Sequence, residues 1–297
     1  MKNASFKLLS LTAMALVMSA CGDRKPREEM NLGEQMDFTL MGMEPGSGIA
    51  ETSRKPLEAY DNLAGWEIHE SSTAGMLVAL DQAIKRKEPV VITGWGPHFI
   101  FEEYDIKFLE DPKNVLGDAE DIHSMARLGL KEDKPEAYAL LENFNWTVED
   151  MQAVMVDAID VEFEEATENW IADNRDKVDS WKEGIDTVDG ESFDLVSFPW
   201  DTERASSHVV AAVLEELGYD VMITNVDPAI MFRALAAGET DATVAVWLPT
   251  TQGPLIAEYK DQVEDLGVNL HGTQVGYIVP SYMEIDSIED LPAYVEE

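Results

Sequence analysis

Cysteine is all but absent from the 297-residue chain: Cys21 stands alone, so no intrachain disulfide and no paired-thiolate metal or redox motif can form. Basic residues are scarce as well. The 21 Lys+Arg face 59 Asp+Glu, a formal charge of −38 with histidines neutral, which excludes nucleic acid and other polyanions as partners. Histidine is sparse and scattered, at His69, His98, His123, His208 and His271, and no His-Glu-x-x-His, Gly-x-Ser-x-Gly or Walker loop occurs. Gly94-Trp95-Gly96-Pro97-His98-Phe99 is only a broken dinucleotide fingerprint, with Phe99 in place of the last glycine. Neither an enzyme active site, nor a metal, nor a cofactor is expected. Long apolar runs are missing: residues 8–18 form a run too short for the roughly 20 residues a membrane-spanning helix needs.

What the chain does contain is enough for a core, since 45% of its residues are hydrophobic and seven are tryptophan. The acidity is therefore a surface property and not a signature of disorder. A coat of that kind keeps a protein soluble when salt shrinks the Debye length to roughly 3 Å near 1 M, and so fits a saline external medium. Lys2 and Lys7, the apolar run and Ser19-Ala20 before Cys21 read as a secretory leader over residues 1–20. The site resembles the lipobox of bacterial lipoproteins, with Met18 an unusual residue at its third position before the cysteine. That likeness implies acylation of Cys21 and an extracytoplasmic protein held by lipid on the outer face of the cytoplasmic membrane. Residues 21–36 are polar and aperiodic and read as a tether reaching at most about 50 Å.

From residue 37 to 297 short apolar runs alternate with helical periods, the pattern of βα units and a mainly parallel sheet. Residues 74–87 predict a helix followed by a strand over 90–93. Residues 229–237 predict a helix stopped by Gly238 and followed by a strand over 243–246. The two stretches share a Met-x-x-Ala-Leu pattern and then Trp95 and Trp247 in like places, which points to two related α/β lobes with a cleft between them. Residues 118–127, 134–143 and 147–184 read as helical, with Thr147, Glu149 and Asp150 suited to a helix start. Trp170 and Trp181, about three turns apart, read as packing residues, as do Trp66 and Trp146.

Three tryptophans occupy another kind of place. Trp95, Trp200 and Trp247 each lie just beyond the carboxyl end of a predicted strand, where ligands bind in open α/β sheets. A fourth strand end, Met43-Glu44-Pro45-Gly46-Ser47-Gly48-Ile49, precedes a predicted helix and can turn backbone N–H groups toward an anion. Aromatic faces and an anion seat together describe a ligand with a quaternary ammonium at one end and a carboxylate at the other. Each ring facing a desolvated cation contributes about 0.5–2 kcal/mol, so three supply roughly 2–6. Micromolar binding needs about 8 kcal/mol, which leaves a share for the carboxylate seat.

These residues, with Gly94-Trp95-Gly96-Pro97-His98, Trp200-Asp201-Thr202-Glu203, Leu214-Glu215-Glu216-Leu217-Gly218-Tyr219 and Ala245-Val246-Trp247-Leu248-Pro249, resemble the glycine betaine-binding lipoproteins of bacterial osmoprotectant ABC importers. The segment order is similar to the circularly permuted branch of that family. The resemblance implies a two-lobed, periplasmic-binding-protein-like α/β fold of type II with the ligand between the lobes. One lobe would hold about 37–100 plus 280–297 and the other about 101–279, with crossings near 99–104 and 279–282. It further implies a cage of Trp95, Trp200 and Trp247 for the trimethylammonium group, a carboxylate seat at the N–H groups of Gly48 and Ile49, and ABC permease and ATPase subunits as partners. Gln252 stands where a relative has a histidine on the carboxylate; glutamine donates an N–H but cannot become cationic, which leaves choline, carnitine or another betaine open as ligands. An acidic surface lipoprotein without a transport role is the remaining alternative. His98, beside Trp95, reads as structural.

Overall fold

The structure, a computed structural model, describes residues 26–295. The predicted leader, Cys21 and the first residues of the expected tether lie outside them. The remainder of that tether is more ordered than its composition implied. Asn31 accepts the Glu34 N–H at 2.9 Å while the Glu34 carboxylate accepts the Asn31 N–H at 2.7 Å, a reciprocal cap that starts the short helix Leu32–Gln35. Leu32, Met36 and Phe38 then pack on a core cluster around Tyr60, Trp66 and Tyr277. Residues from Asn31 onward are thus packed on the body; a cap spanning four residues leaves no period to read.

Nine strands occur among the described residues: β1 Thr39–Gly42, β2 Glu67–Glu70, β3 Ile92–Gly96, β4 Ile106–Phe108, β5 Glu120–Arg127, β6 Ser192–Ser197, β7 Asp220–Asn225, β8 Ala242–Leu248 and β9 Val263–Pro280. Their order is β2-β1-β3-β9-β5-β8-β6-β7, with β4 also on β9. The outer groups are parallel, β1 with β2 and β3, and β6 with β7 and β8. The middle is antiparallel: β9 opposes β3, β4 and β5, and β5 opposes β8. The sheet is mixed, a correction to the mainly parallel expectation.

β9 is the cause. Its residues up to Thr273 pair with β5, and from Gln274 onward they pair with β3 and then β4. One 18-residue strand therefore joins two half-sheets, β1 to β4 and β5 to β8, and the chain returns between them through residues 109–119. The pairing of β9 changes over at 273/274, and β4, residues 106–108, pairs on the side of the first half-sheet. Gly267, Gly272 and Gly276 interrupt the apolar pattern of β9, so it does not read as one element.

Residues 118–127, expected as helix, form β5 instead. Glu120, Ile122, Ser124 and Ala126 alternate as buried positions in a central strand, a period of two that its charged neighbours mask. Other expectations hold in place. Ser72 caps helix Thr73–Arg86, which buries Met76, Leu80 and Ala83. Helix Pro228–Ala237 buries Met231, Phe232 and Leu235 and stops at Gly238, with φ +70°. Each feeds a strand ending in Trp-x-Pro, and both X-Pro bonds, Gly96-Pro97 and Leu248-Pro249, are cis. Thr147 and Asp150 form a capping box at the head of helix Val148–Asp157, and two further helices, Phe163–Asp173 and Arg175–Trp181, complete the 147–184 layer.

Trp170 and Trp181 lie on two successive helices and not on one helical face, yet they pack as expected: their rings stack at 6.1 Å, and Trp146 meets Trp170 edge-on at 5.7 Å. All three are buried. Trp170→Ala is expected to cost about 3–5 kcal/mol, the range for truncating a buried aromatic ring. Denaturant unfolding measures the loss, and the affinity of the folded fraction for ligand should be unchanged.

Candidate functional site

Trp95, Trp200 and Trp247 meet. They line one cavity between the half-sheets, with Gly48 and Ile49 on the side of Trp95, and Thr202, Glu203, Thr251 and Gln252 on the side of the other two. All six residues singled out from the sequence as ligand-binding are thus brought to one place. No lysine or arginine is among the lining residues.

Each ring is fixed from outside the cavity. Trp95 ends β3, opposite Val275 of β9, and is set edge-on against His98 at 4.6 Å. His98 is buried, its Nδ1 accepts the Ile100 N–H at 3.3 Å, and burial lowers its pKa to about 4, so it is a neutral support behind the ring. Trp200 sits at the N-cap of helix Asp201–Glu216, half-buried, with Phe198 edge-on at 5.4 Å. Trp247 lies in β8 opposite Ile122, and its indole N–H donates to Glu203 Oε1 at 2.7 Å.

Glu203 is a lining residue that the sequence reading did not single out. It is the third residue of a helix that starts right after a strand end, a place that faces ligand in such sheets. That helix carries Ala205, Ser206, Ser207 and Ala211 as buried small residues, which lets it pack tightly on the sheet and press its first turn into the cavity wall. Glu203 is wholly buried. Its second oxygen accepts the Thr202 hydroxyl at 2.5 Å, and burial pushes its pKa up to about 7 against the lowering effect of its hydrogen bonds.

The opposite wall begins at Ser47. Its hydroxyl accepts the Ala50 N–H at 3.1 Å and its carbonyl accepts the Glu51 N–H at 3.2 Å. Gly48 and Ile49 are the remaining first-turn donors of helix Gly48–Thr52, the positions that have no partner within a helix. Glu44 braces the loop by accepting the Thr73 N–H at 2.8 Å and the Thr73 hydroxyl at 2.7 Å. A Cβ on Gly48 would lie 2.3 Å from the Thr251 carbonyl oxygen, so only glycine allows the two walls to approach this closely.

Gln252 is oriented without ambiguity. Its Oε1 accepts the Trp247 backbone N–H at 2.5 Å, and because that partner can only donate, the side-chain –NH₂ is the end left for the cavity. Glu120, buried at the start of β5, accepts the N–H groups of Thr250 and Thr251 at 2.5 and 2.8 Å and also the Thr251 hydroxyl. It holds the 249–252 loop in place and was not foreseen, because in sequence it is one acid among many. Among the described residues no group of His, Cys, Asp or Glu is placed to hold a metal ion, and no helix is long and apolar enough to cross a membrane.

The chain matches the family described as the substrate binding domain of ABC-type glycine betaine transport systems over residues 21–173 and 193–297. The glycine betaine/carnitine transport binding protein GbuC of Listeria monocytogenes is 44% identical over 296 residues, spanning 96% of this chain and 98% of that one. Among solved structures, lactococcal OpuAC in a closed complex with glycine betaine is 44% identical, with a TM-score of 0.49 over 55% of this chain and 64% of that chain. An ABC-transporter choline-binding protein in complex with choline is 25% identical, with a TM-score of 0.46 over 63% and 61%. On the extent of the family match and of the full-length relative, the chain belongs to the family of substrate-binding domains of ABC-type glycine betaine transport systems.

Proposed function

We propose that the protein captures glycine betaine, or a closely related quaternary ammonium solute, outside the cytoplasmic membrane and delivers it to the permease and ATPase subunits of an ABC importer for osmoprotection. The observation that carries this reading is the convergence of Trp95, Trp200 and Trp247 on one cavity free of basic side chains. Three π faces suit a large, weakly hydrated cation whose dehydration costs little. The N–H groups of Gly48 and Ile49 and the –NH₂ of Gln252 supply neutral donors for the carboxylate at the other end. The similarity to a glycine betaine/carnitine binding protein supports the same ligand class. The role is binding and release, without chemistry on the ligand. Acylation at Cys21 would keep the protein beside its permease, with residues 22–30 as the tether and the two lobes closing on the ligand about the 273/274 crossing.

Titration of the mature chain with glycine betaine, proline betaine, choline, carnitine and proline tests the proposal. Saturable binding of at least one quaternary ammonium, with a tryptophan fluorescence response, is expected, and its absence for all of them would sink the reading. Trp95→Ala, Trp200→Ala and Trp247→Ala should each weaken binding by about 2- to 30-fold, the range that one cation–π contact of 0.5–2 kcal/mol supplies. Gln252→His should tighten glycine betaine more than choline at a pH where the imidazole is protonated, since only the former has a carboxylate to meet it. Equal effects on both ligands would remove residue 252 from the carboxylate seat.

A further inference from the structure

One carboxylate faces the cavity, and neither the cage nor the anion seat accounts for it. Glu203 is buried on the wall, and its oxygens are held by the indole N–H of Trp247 and the hydroxyl of Thr202. Among the described residues no cation pairs with it, although buried carboxylates normally find one. The other buried acids in this half of the molecule are fully provided for: Asp241 has Arg127, Lys134 and the Asp194 N–H, and Glu120 has two amides and a hydroxyl.

Resting on the ligand class proposed above, we propose that Glu203 is the counter-charge of the ligand's quaternary ammonium, a specificity-determining residue that acts across the cavity and through the Trp247 ring. An indole that donates its N–H to a carboxylate gains electron density on its π face, and that face attracts a cation the more strongly for it. The ligand in turn brings the positive charge that the ionised carboxylate lacks. Binding and ionisation are therefore linked. In the empty cavity burial favours the protonated acid; when the cation enters, the proton leaves for solvent.

The sign follows from that linkage. Affinity is highest where Glu203 is already ionised, above neutral pH, and it falls as pH drops and the proton must be displaced. Few other groups act on this one. Asp201, in the same helical turn, raises the Glu203 pKa through space and is itself raised by burial, with Arg204 at 3.8 Å partly offsetting it. The lining residues contributed by β8 and the 249–252 loop, Trp247, Thr251 and Gln252, are uncharged, as is Ser197 of β6, whose hydroxyl bonds to the Glu203 carbonyl. On the facing helix Glu51 pairs with Arg54 at the surface, and His98 stays neutral through the same pH range.

Calorimetric titration of the mature chain with glycine betaine and with choline, between pH 5.5 and 8.5 and in buffers of different ionisation enthalpy, tests this. Wild type should bind both ligands roughly tenfold more tightly at pH 8.5 than at pH 5.5 and release a substantial fraction of one proton per ligand near pH 6.5. Glu203→Gln, which keeps an oxygen for the Trp247 N–H, should bind both more weakly at pH 8.5, with a flat pH profile and no proton release. Wild-type binding without proton release overturns the inference whether or not the variant folds. So does a variant that keeps the wild-type pH slope. A wild type that binds no quaternary ammonium overturns the underlying ligand reading instead, and the inference with it.

Discussion

A single strand belongs to both halves of the molecule, and the geometry of the cavity descends from it. Within three consecutive residues of β9, Thr273 stands opposite Glu120, Gln274 opposite Gly96 and Val275 opposite Trp95. On one side this register places the first ring of the cavity. On the other it places Glu120, whose carboxylate organises the 249–252 loop and, through Thr251, the contact with Gly48. Rotation about this crossing would move Trp95, Gly48 and Ile49 together against Trp200, Trp247 and Gln252 while leaving the hydrogen-bond register of each half-sheet intact. Gly272, at φ +85°, provides backbone freedom beside the crossing.

The charge excess is resolved in two ways. Most carboxylates face solvent, where salt confines their mutual repulsion to a few ångströms. Of the few inside, Asp241 is matched by two cations and an amide and Glu120 by two amides and a hydroxyl. The cavity itself is walled by neutral groups apart from Glu203. Long-range screening therefore acts on the coat and little on the cavity, which separates the solubility of the chain from the chemistry of its cavity.

The site was more legible than the fold. Trp95, Trp200, Trp247 and the Gly48-Ile49 turn could be found because strand ends followed by Gly or Pro are strong local signals, and because aromatic residues there have few other uses. The helix–strand repeat was visible for the same reason. Acidic and basic residues on the less buried side of β5 obscure its period of two, and glycines divide β9. Both are central strands whose identity is set by neighbours far away in sequence, which local periodicity does not carry. Glu203 and Glu120 were passed over in a chain with 59 acidic residues, where composition gives no means of telling a buried carboxylate from a solvated one. Burial alone distinguishes them.

The arrangement of neutral donors and one acid has an electrostatic direction. A betaine carries opposite charges a few ångströms apart, so its net charge is zero and a uniform potential gains nothing from it; a site must present a potential that changes along the ligand. Helix N–H groups and an amide at one end, with a carboxylate behind a ring at the other, form such a gradient antiparallel to the ligand's own dipole. A lysine or arginine at the seat would strengthen the carboxylate contact, but its field would reach the ammonium a few ångströms away and oppose it in a low-dielectric cavity. Neutral donors act over a shorter range and, in the proposed binding mode, leave the cation end to the rings and Glu203. The absence of lysine and arginine from the cavity lining fits a site that meets a zwitterion at both ends.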